Sequence, residues 1–327
     1  MKGSEGRMKA PFSRFGNKDA IAGEVWRRFG VVKNYLEPFA GSAAMLLMRP
    51  GGAQGIETIN DADGYVSNFW RALKAAPDEV LRWAEWPCNE ADLHARHLWL
   101  AHQHDRILER LMGDADWFDA KVAGWWVWGS LWWIGRGWCV GKGPWVTIDG
   151  VFQPRPEGDD QPGVRRQVPH LSYKRVGRIT KEHFEELTTR LKEVRVACGD
   201  WTRILGAGLK IGPTNAVFLD PPYGEGTDEL YPLGASLQEE AEIAGAVWKW
   251  SVEHGDDPAL RIAVAGYDDG RELPPGWTKW NWKGEGRQST VGYTRANSKG
   301  VKNLLKETVW FSPHCLVPSD DSILEML

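Results

Sequence analysis

Cysteine is scarce in this sequence, and its charge is close to balanced. Four cysteines stand in 327 residues, none in C-x-x-C spacing and none accompanied by nearby histidines. This pattern argues against a zinc site or a disulfide framework and predicts a reducing compartment. Lys and Arg number 40 against 44 acidic residues, a formal net charge of −4. That balance excludes a protein that coats nucleic acid by bulk charge, but it permits a local basic face.

Long apolar segments and phosphate-binding glycine motifs are also missing. Residues 1–10 contain no apolar signal core, and the longest apolar run, residues 122–134, is shorter than the ~20 residues that cross a bilayer. We therefore expect a soluble cytoplasmic protein with no membrane partner. Neither G-x-G-x-x-G nor G-x-x-x-x-G-K-S/T occurs, which weakens the case for a pyrophosphate cradle and hence for a nicotinamide dehydrogenase.

Tryptophan, by contrast, is abundant. Of the 20 tryptophans, seven fall within 21 residues, at positions 125, 126, 128, 132, 133, 138 and 145. Trp125, Trp128 and Trp132 recur at i, i+3 and i+7 as one face of a helix, a pattern that favours packing onto the rest of the protein. Trp138 and Trp145 lie among glycines and basic residues, so stacking on bases or wedging between them stays open for these two.

Strands and helices alternate in two separate stretches of the chain. Short apolar strands are predicted at residues 31–36, 56–59, 216–219 and 260–265. The first leads through a glycine turn into a helix, and the second ends at an acid. This order is typical of the βαβ units of an α/β fold.

The region between these stretches has a different character. Residues 88–178 contain the tryptophan-rich segment and then a segment of short strands with scattered Pro, Gly and Arg. The sequence therefore predicts one discontinuous α/β domain, residues 1–87 and 179–327, interrupted by an insertion at residues 88–178.

The glycine turn after the first strand, residues 37–42 (EPFAGS), is a candidate ligand site. Such a turn lets backbone approach a ligand closely at the carboxyl edge of a sheet. Asp61 follows the next strand, 20 residues after Gly41, where an acid can accept hydrogen bonds from ribose hydroxyls. A nucleoside without a pyrophosphate fits these residues, and an ordinary tight turn fits them equally well.

A second candidate site, Asp220-Pro221-Pro222-Tyr223, directly follows the predicted strand at residues 216–219. Two prolines directly after a buried strand are poorly suited to continue the sheet or to start a helix, so they make a rigid extended corner. The corner suits a planar heterocycle with an exocyclic amine. The ring would stack on Tyr223, and the amine would donate to the Asp220 carboxylate and the Pro221 carbonyl.

Together with the turn at residues 37–42, the Asp220-Pro221-Pro222-Tyr223 motif resembles the Dam-like (D12) class of S-adenosylmethionine-dependent DNA adenine-N6 methyltransferases. The similarity covers residues 10–87 and 179–313, with cofactor motifs first, a variable insertion second and the catalytic motif third, the order called alpha in that family. The further matching segments are residues 11–18, 60–61, 68–71, 199–201, 265–268 and 303–313.

The resemblance implies a Rossmann-like methyltransferase sheet flanked by helices, with a target-recognition region inserted at residues 88–178. It implies S-adenosylmethionine as cofactor, no metal, and methyl transfer to N6 of an adenine flipped out of duplex DNA. The residues that match cofactor-binding motifs are Arg14, Phe15, Lys18, Glu37, Phe39, Ala40, Gly41, Asp61, Asp200 and Trp201. The residues that match the catalytic motif are Asp220, Pro221, Pro222 and Tyr223.

Individual roles follow from the same resemblance. Lys18 and the backbone of residues 39–41 would contact the methionine portion of the cofactor. Asp61 would bind the ribose of the cofactor, and Asp200 would accept a hydrogen bond from the amine of the cofactor's adenine. Arg14 stands where relatives usually place an aromatic residue, so another aromatic side chain would supply the stacking face. The two candidates for that face are Phe15 and Trp201.

A basic stretch follows the tryptophans. Residues 135–181 contain nine Lys and Arg residues and four acids, a local net charge of +5. This polarity favours a face that contacts phosphates, with a solvated loop region as the alternative. We expect double-stranded DNA as the partner, and a cognate restriction enzyme or a phage or prophage context is compatible with it. The predicted DNA contacts are Arg136, Lys142, Arg165 and Arg166.

Other functions remain open from the sequence. A cytosine-N4 methyltransferase, or one that acts on an amine of RNA or protein, would use similar chemistry. The leading Asp of the catalytic motif favours adenine, by family resemblance. A catalytically silent DNA-binding relative would keep the fold, but the intact Asp220, Tyr223 and Asp61 argue against it.

Overall fold

A computed structural model describes most of the predicted α/β domain and about the first half of residues 88–178, the predicted insertion. The described segments are residues 8–12, 18–133, 138–139, 145–148, 151–154, 179–206, 209–222, 237–282 and 307–318. Their α-helices are α1 (Ala22–Phe29), α2 (Ala44–Leu47), α3 (Gly64–Ala75), α4 (Pro77–Ala84), α5 (Glu90–Ala101), α6 (His104–Gly113), α7 (Ala120–Trp132), α8 (Lys181–Leu191) and α9 (Leu237–His254). Two short 3-10 helices span Lys18–Ala20 and Trp201–Ile204.

Seven of the strands in these segments form one mixed sheet. The strands are β1 (Asn34–Glu37), β2 (Ile56–Asp61), β3 (Trp145–Ile148), β4 (Val151–Pro154), β5 (Arg195–Cys198), β6 (Asn215–Leu219), β7 (Leu260–Tyr267), β8 (Thr278–Asn281) and β9 (Glu307–Phe311). The sheet order is β5-β2-β1-β6-β7-β9-β8, and β3 pairs with β4 in a separate hairpin. The first five strands of the sheet are parallel, whereas β9 runs antiparallel to both of its neighbours.

The sheet is buried on both faces. Alternate residues of β6 belong to two different hydrophobic clusters, with Phe218 in one and Val217 in the other. The first cluster includes Phe69 of α3, and the second includes Val247 of α9. Because successive side chains of a strand point to opposite faces, helices must cover both sides of the sheet. The predicted α/β class is confirmed, with a sheet flanked by helices that is compatible with a Rossmann-like fold.

Proline divides one predicted helix into two. The sequence pattern predicts helix over residues 64–86, and the structure has α3 and α4 with a break at Ala76. Pro77 occupies the first turn of α4, where its missing N–H costs nothing. The break lets α4 turn to pack against α7.

The described part of residues 88–178, the predicted insertion, packs directly onto the α/β core. Helix α7 lies against α3 and α4. Trp126 of α7 meets Phe12 at a ring-centroid distance of 4.8 Å and an interplanar angle of 74°. Trp128 is fully buried, and its Nε1 donates to the Trp86 carbonyl at 2.6 Å. The packing interpretation of the helical tryptophan face is therefore confirmed at Trp128.

Trp138 also has a packing role, contrary to the expectation that it could stack on bases. Its side chain is buried and its Nε1 donates to the Trp126 carbonyl at 3.0 Å. Its ring lies 5.3 Å from that of Trp133. An indole held in this way is not available to a nucleic acid. The side chain of Trp145 is not among those described, so its role in contacting bases stays a prediction.

A search of the described helices for a membrane span gives a negative result. None of them combines the length and the apolar character that crossing a bilayer requires.

Candidate active site

The predicted ligand turn and the predicted catalytic corner lie at the same edge of the sheet. Strands β2 and β5 continue to one side of β1, whereas β6 and β7 lie on its other side. Ligands of open α/β sheets bind outside the carboxyl ends of the strands where the order reverses in this way. Leu36 of β1 pairs with Val217 of β6. The turn at residues 37–42 follows β1 and the corner at Asp220 follows β6. The two therefore lie side by side at the carboxyl ends of adjacent strands.

The glycine turn is held by the end of β2. The Gly41 N–H donates to Asp61 Oδ2 at 2.8 Å, and the Ala40 N–H donates to the Asn60 carbonyl at 2.9 Å. Gly41 has φ +48°, and Ala43, which precedes α2, has φ +50°. A left-handed alanine is uncommon and costs free energy unless its surroundings fix it. The turn is therefore a fixed backbone feature and not an adaptable loop.

Asn60 ties together three of the turns at this edge, a role that the sequence analysis missed. Its buried side-chain Nδ2 donates to the Pro38 carbonyl at 3.0 Å and to the Gly199 carbonyl at 2.9 Å. One amide thus joins the ends of β1, β2 and β5. The signal in the sequence was only an Asn at a strand end beside Asp61, which does not reveal two distant partners.

Asp61 combines a structural role with the capacity to bind a ligand. Its Oδ1 accepts from the Asp63 N–H at 2.8 Å, and its Oδ2 accepts from Gly41. Each carboxylate oxygen offers two acceptor positions. The side chain is only partly buried, so its geometry allows the predicted hydrogen bond to a ribose hydroxyl.

An aromatic pair forms beside the turn from two distant segments. The rings of Phe39 and Trp201 lie nearly parallel, with centroids 6.1 Å apart and an interplanar angle of 22°. Asp200 is exposed, and its Oδ1 caps the following 3-10 helix by accepting from the Thr202 N–H at 2.9 Å. Aromatic faces beside an exposed carboxylate suit a purine with an amino group, since the ring stacks and the amine donates.

Glu37 lies beneath the turn. It is 2% exposed and accepts from the Tyr35 hydroxyl at 2.9 Å and the Leu46 N–H at 3.2 Å. Burial raises the pKa of Glu37 to about 8, because the two hydrogen bonds only partly offset the cost of desolvating its charge. The structure gives its side chain a supporting position under α2. Its direct contact with a cofactor stays a prediction.

Lys18 and Asp220 are in direct contact, although more than half of the chain separates them. Lys18 Nζ lies 3.1 Å from Asp220 Oδ1, with 8% and 21% of the two side chains exposed. Lys18 lies on the 3-10 helix before α1, and Pro221 beside the pair is buried. The residue predicted to contact the cofactor and the predicted catalytic acid thus share one site.

Glu307 is a further acid at this site that the sequence analysis missed. It begins β9, whose amino end meets the carboxyl end of β7 because the two strands are antiparallel. Burial raises its pKa, with Asp220 acting in the same direction and Lys18 in the opposite one. No local motif in the sequence marks it, because only the strand order brings it to Asp220.

Several predicted site residues lie outside the described part of the chain. Among the catalytic and cofactor residues these are Tyr223, Arg14 and Phe15. All of the predicted DNA contacts fall in this group as well, namely Arg136, Lys142, Arg165 and Arg166. Their assignments stay predictions. The described candidates Lys18, Phe39, Ala40, Gly41, Asp61, Asp200, Trp201, Asp220, Pro221 and Pro222 lie in the turns and short helices at the carboxyl edge of the sheet.

Comparison with known proteins adds no assignment. No protein-family model matches the chain, and no curated protein matches it significantly. The function must therefore be argued from the site itself and from the motif resemblance.

Proposed function

We propose that this protein is an S-adenosylmethionine-dependent DNA methyltransferase that acts on N6 of adenine. The observation that carries the proposal is the position of Asp220 next to Lys18, at the edge where the turn at residues 37–42 also ends. Two motifs that resemble one enzyme family are thereby adjacent in space.

The cofactor half of the site fits an adenosine without a pyrophosphate. Phe39 and Trp201 supply aromatic surface, Asp61 offers acceptor positions for ribose hydroxyls, and Asp200 is exposed to an amine. The backbone at Gly41 allows close approach because no side chain stands there. When bound, the cofactor supplies a methyl group on a sulfonium, which is already an excellent leaving group.

Asp220 and the Pro221 carbonyl would activate the target amine. The lone pair of N6 in adenine is delocalised into the ring, so the amine is a poor nucleophile. Hydrogen bonds from N6 to these two acceptors orient the lone pair and stabilise the positive charge that develops on nitrogen. A bond forms between N6 and the methyl carbon as the carbon–sulfur bond breaks. The surplus proton on N6 then leaves to Asp220 or to water.

The contact with Lys18 is compatible with this role. A carboxylate has four acceptor positions, of which the ammonium at Oδ1 takes one. The carboxylate can therefore accept from the amine of adenine while it contacts Lys18.

The insertion is proposed to bind duplex DNA. N6 of adenine is inaccessible within the stack, so the base must be flipped into the site. Residues 135–181 carry a local net charge of +5 in a chain of −4. Phosphate contacts by basic side chains supply most of the sequence-independent affinity for DNA. Residues 88–178 are therefore proposed as the target-recognition region.

Mass analysis of nucleosides tests the proposal. The purified full-length chain is incubated with methyl-labelled S-adenosylmethionine and unmethylated duplex DNA, and the DNA is digested to nucleosides. We expect labelled N6-methyladenine. Label in N4-methylcytosine, or only in an RNA substrate, would assign the alternative methyltransferase reactions. Cofactor binding by calorimetry without transfer to any of these substrates would indicate the catalytically silent relative.

A further inference from the structure

A recess opens beside Lys18, at the carboxyl end of β7. Its walls include Gly266 and Trp282, and Glu307 at the start of β9 stands in it. It has about 200 Å³ of empty space, part of it continuous with solvent. The enclosed part of the recess holds about one water-sized group, so it suits a single polar edge of a ligand whose remainder lies outside the recess.

Glu307 lines the recess, and the proposed methyl transfer gives its carboxyl group no role. Among the described residues, none hydrogen-bonds with its carboxyl group. The charged or titratable groups that face it are Lys18, Asp220 and its cross-strand partner Tyr267. Farther along the same edge, Asp268 and Lys279 pair with each other at 2.8 Å. The carboxyl group of Glu307 is therefore available to a ligand.

Burial makes Glu307 a hydrogen-bond donor over a wider range of pH. Its pKa is raised, chiefly because desolvation disfavours the charged form. A protonated carboxyl group carries one O–H donor, whereas the ionised form only accepts. In its protonated form Glu307 would offer a donor in the recess, beside the acceptor Asp220.

Adenine presents the complementary arrangement. Its amine is its one donor group, and the ring nitrogens at its edges are acceptors. Once Asp220 accepts from the amine, the rest of the purine edge requires a donor. We propose that Glu307 contacts the target base, donating from its carboxyl group to a ring nitrogen of the adenine while Trp282 lines the recess beside it. This inference rests on the proposed function and names a residue that sets the choice of base.

Two substitutions at Glu307 and one matched control test the inference. Glu307→Ala removes the donor, and Glu307→Gln keeps an N–H donor of similar size. Glu193→Gln removes an acid that is exposed and precedes β5, at the opposite edge of the sheet. Steady-state rates on unmethylated duplex DNA give KM and kcat, and calorimetry gives the Kd for S-adenosylmethionine.

We expect Glu307→Ala to raise KM for DNA roughly tenfold, the size of one specific base contact. Glu307→Gln should stay within about threefold of the wild type, since its amide donates to the same nitrogen. The Kd for S-adenosylmethionine should be unchanged in both. In the wild type, KM for DNA should rise as pH increases through the pKa of Glu307. In Glu307→Gln, KM for DNA should not change over the same pH range.

Two results would overturn the inference. One is a KM and a pH profile for Glu307→Ala that match those of Glu193→Gln. The other is a loss of cofactor affinity as large as the loss of DNA affinity, since that would mean a structural role. A wild-type chain that binds the cofactor but methylates no DNA refutes the proposed function, and the inference with it. That outcome is visible before any variant is compared.

Discussion

Replacing Asp220 by Asn tests the central acid of the site with little change of shape. The substitution removes the negative charge that lies 3.1 Å from Lys18, and it places an amide where the amine of adenine should donate. The Asn side chain can still accept one hydrogen bond, but it stabilises positive charge on N6 poorly. We therefore expect Asp220→Asn to bind S-adenosylmethionine and to methylate DNA very slowly.

The size of the effect follows from comparable electrostatic groups in enzymes. Removing one preorganised group that faces a developing charge lowers kcat by about 10²–10³, or about 2.7–4 kcal/mol. The stability cost is smaller, because Asp220 is 21% exposed and water replaces part of the lost attraction. A loss of about 1–2 kcal/mol and a drop of a few degrees in Tm are expected.

Single-turnover methylation of duplex DNA measures this prediction, with calorimetry for the cofactor and thermal melting for stability. Asp256→Asn is the matched control, since Asp256 is exposed and precedes β7 at the opposite edge of the sheet. A rate for Asp220→Asn within threefold of that control would refute the reasoning. Loss of cofactor binding equal to the loss of rate would also contradict it, because Asp220 would then serve the cofactor rather than the base.

Three further predictions concern stability and DNA binding. Glu57 is 2% exposed and accepts from Arg49 at 2.8 Å and from Arg190 at 2.6 and 2.8 Å. Because Glu57→Gln leaves these buried cations without their counter-charge, it should lower the free energy of unfolding by about 3–5 kcal/mol in urea titrations. An unchanged midpoint would contradict this. The pKa of Glu37 is raised from its ordinary 4.5 to about 8, so the folded state keeps a proton that the unfolded state releases. Stability should fall as pH rises across that window, and melting curves of Glu37→Gln should lose this slope. Alanine variants of the basic insertion residues should weaken DNA binding and lower the salt slope by about 1 each in anisotropy titrations, whereas unchanged slopes in all of them would remove the DNA face. These residues are Arg136, Lys142, Arg165 and Arg166.

The four central strands of the sheet were predictable because they are largely buried on both faces, whereas the more exposed strands β5 and β8 were not predicted. Strands buried on both faces read as short apolar runs that end at turn residues, as at Asn215–Leu219 and Leu260–Tyr267. The predicted run at residues 31–36 begins too early, since β1 spans Asn34–Glu37. Apolar character alone does not define where backbone pairing starts, so strand ends are less certain than strand existence.

The packing of the tryptophans was only partly predictable. A helical spacing indicates that Trp128 shares a face with Trp125 and Trp132; Trp128 is buried, and the other two are partly buried. Trp138 lies outside the helix, among glycines and basic residues, and its position in the sequence gave no sign of its hydrogen bond to Trp126. Contacts of this kind depend on how the chain returns to the helix.

The amino-acid sequence by itself determined the α/β class, the glycine turn and the Asp-Pro-Pro corner, because each depends on neighbouring residues and local backbone preferences. Only the tertiary structure decided that Lys18 meets Asp220, that Phe39 stacks on Trp201 and that Glu307 stands beside them. These contacts join segments far apart in the chain. They exist because strand order brings the carboxyl ends of β1, β5, β6 and β7 and the amino end of β9 to one edge, and strand order depends on the packing of the whole sheet.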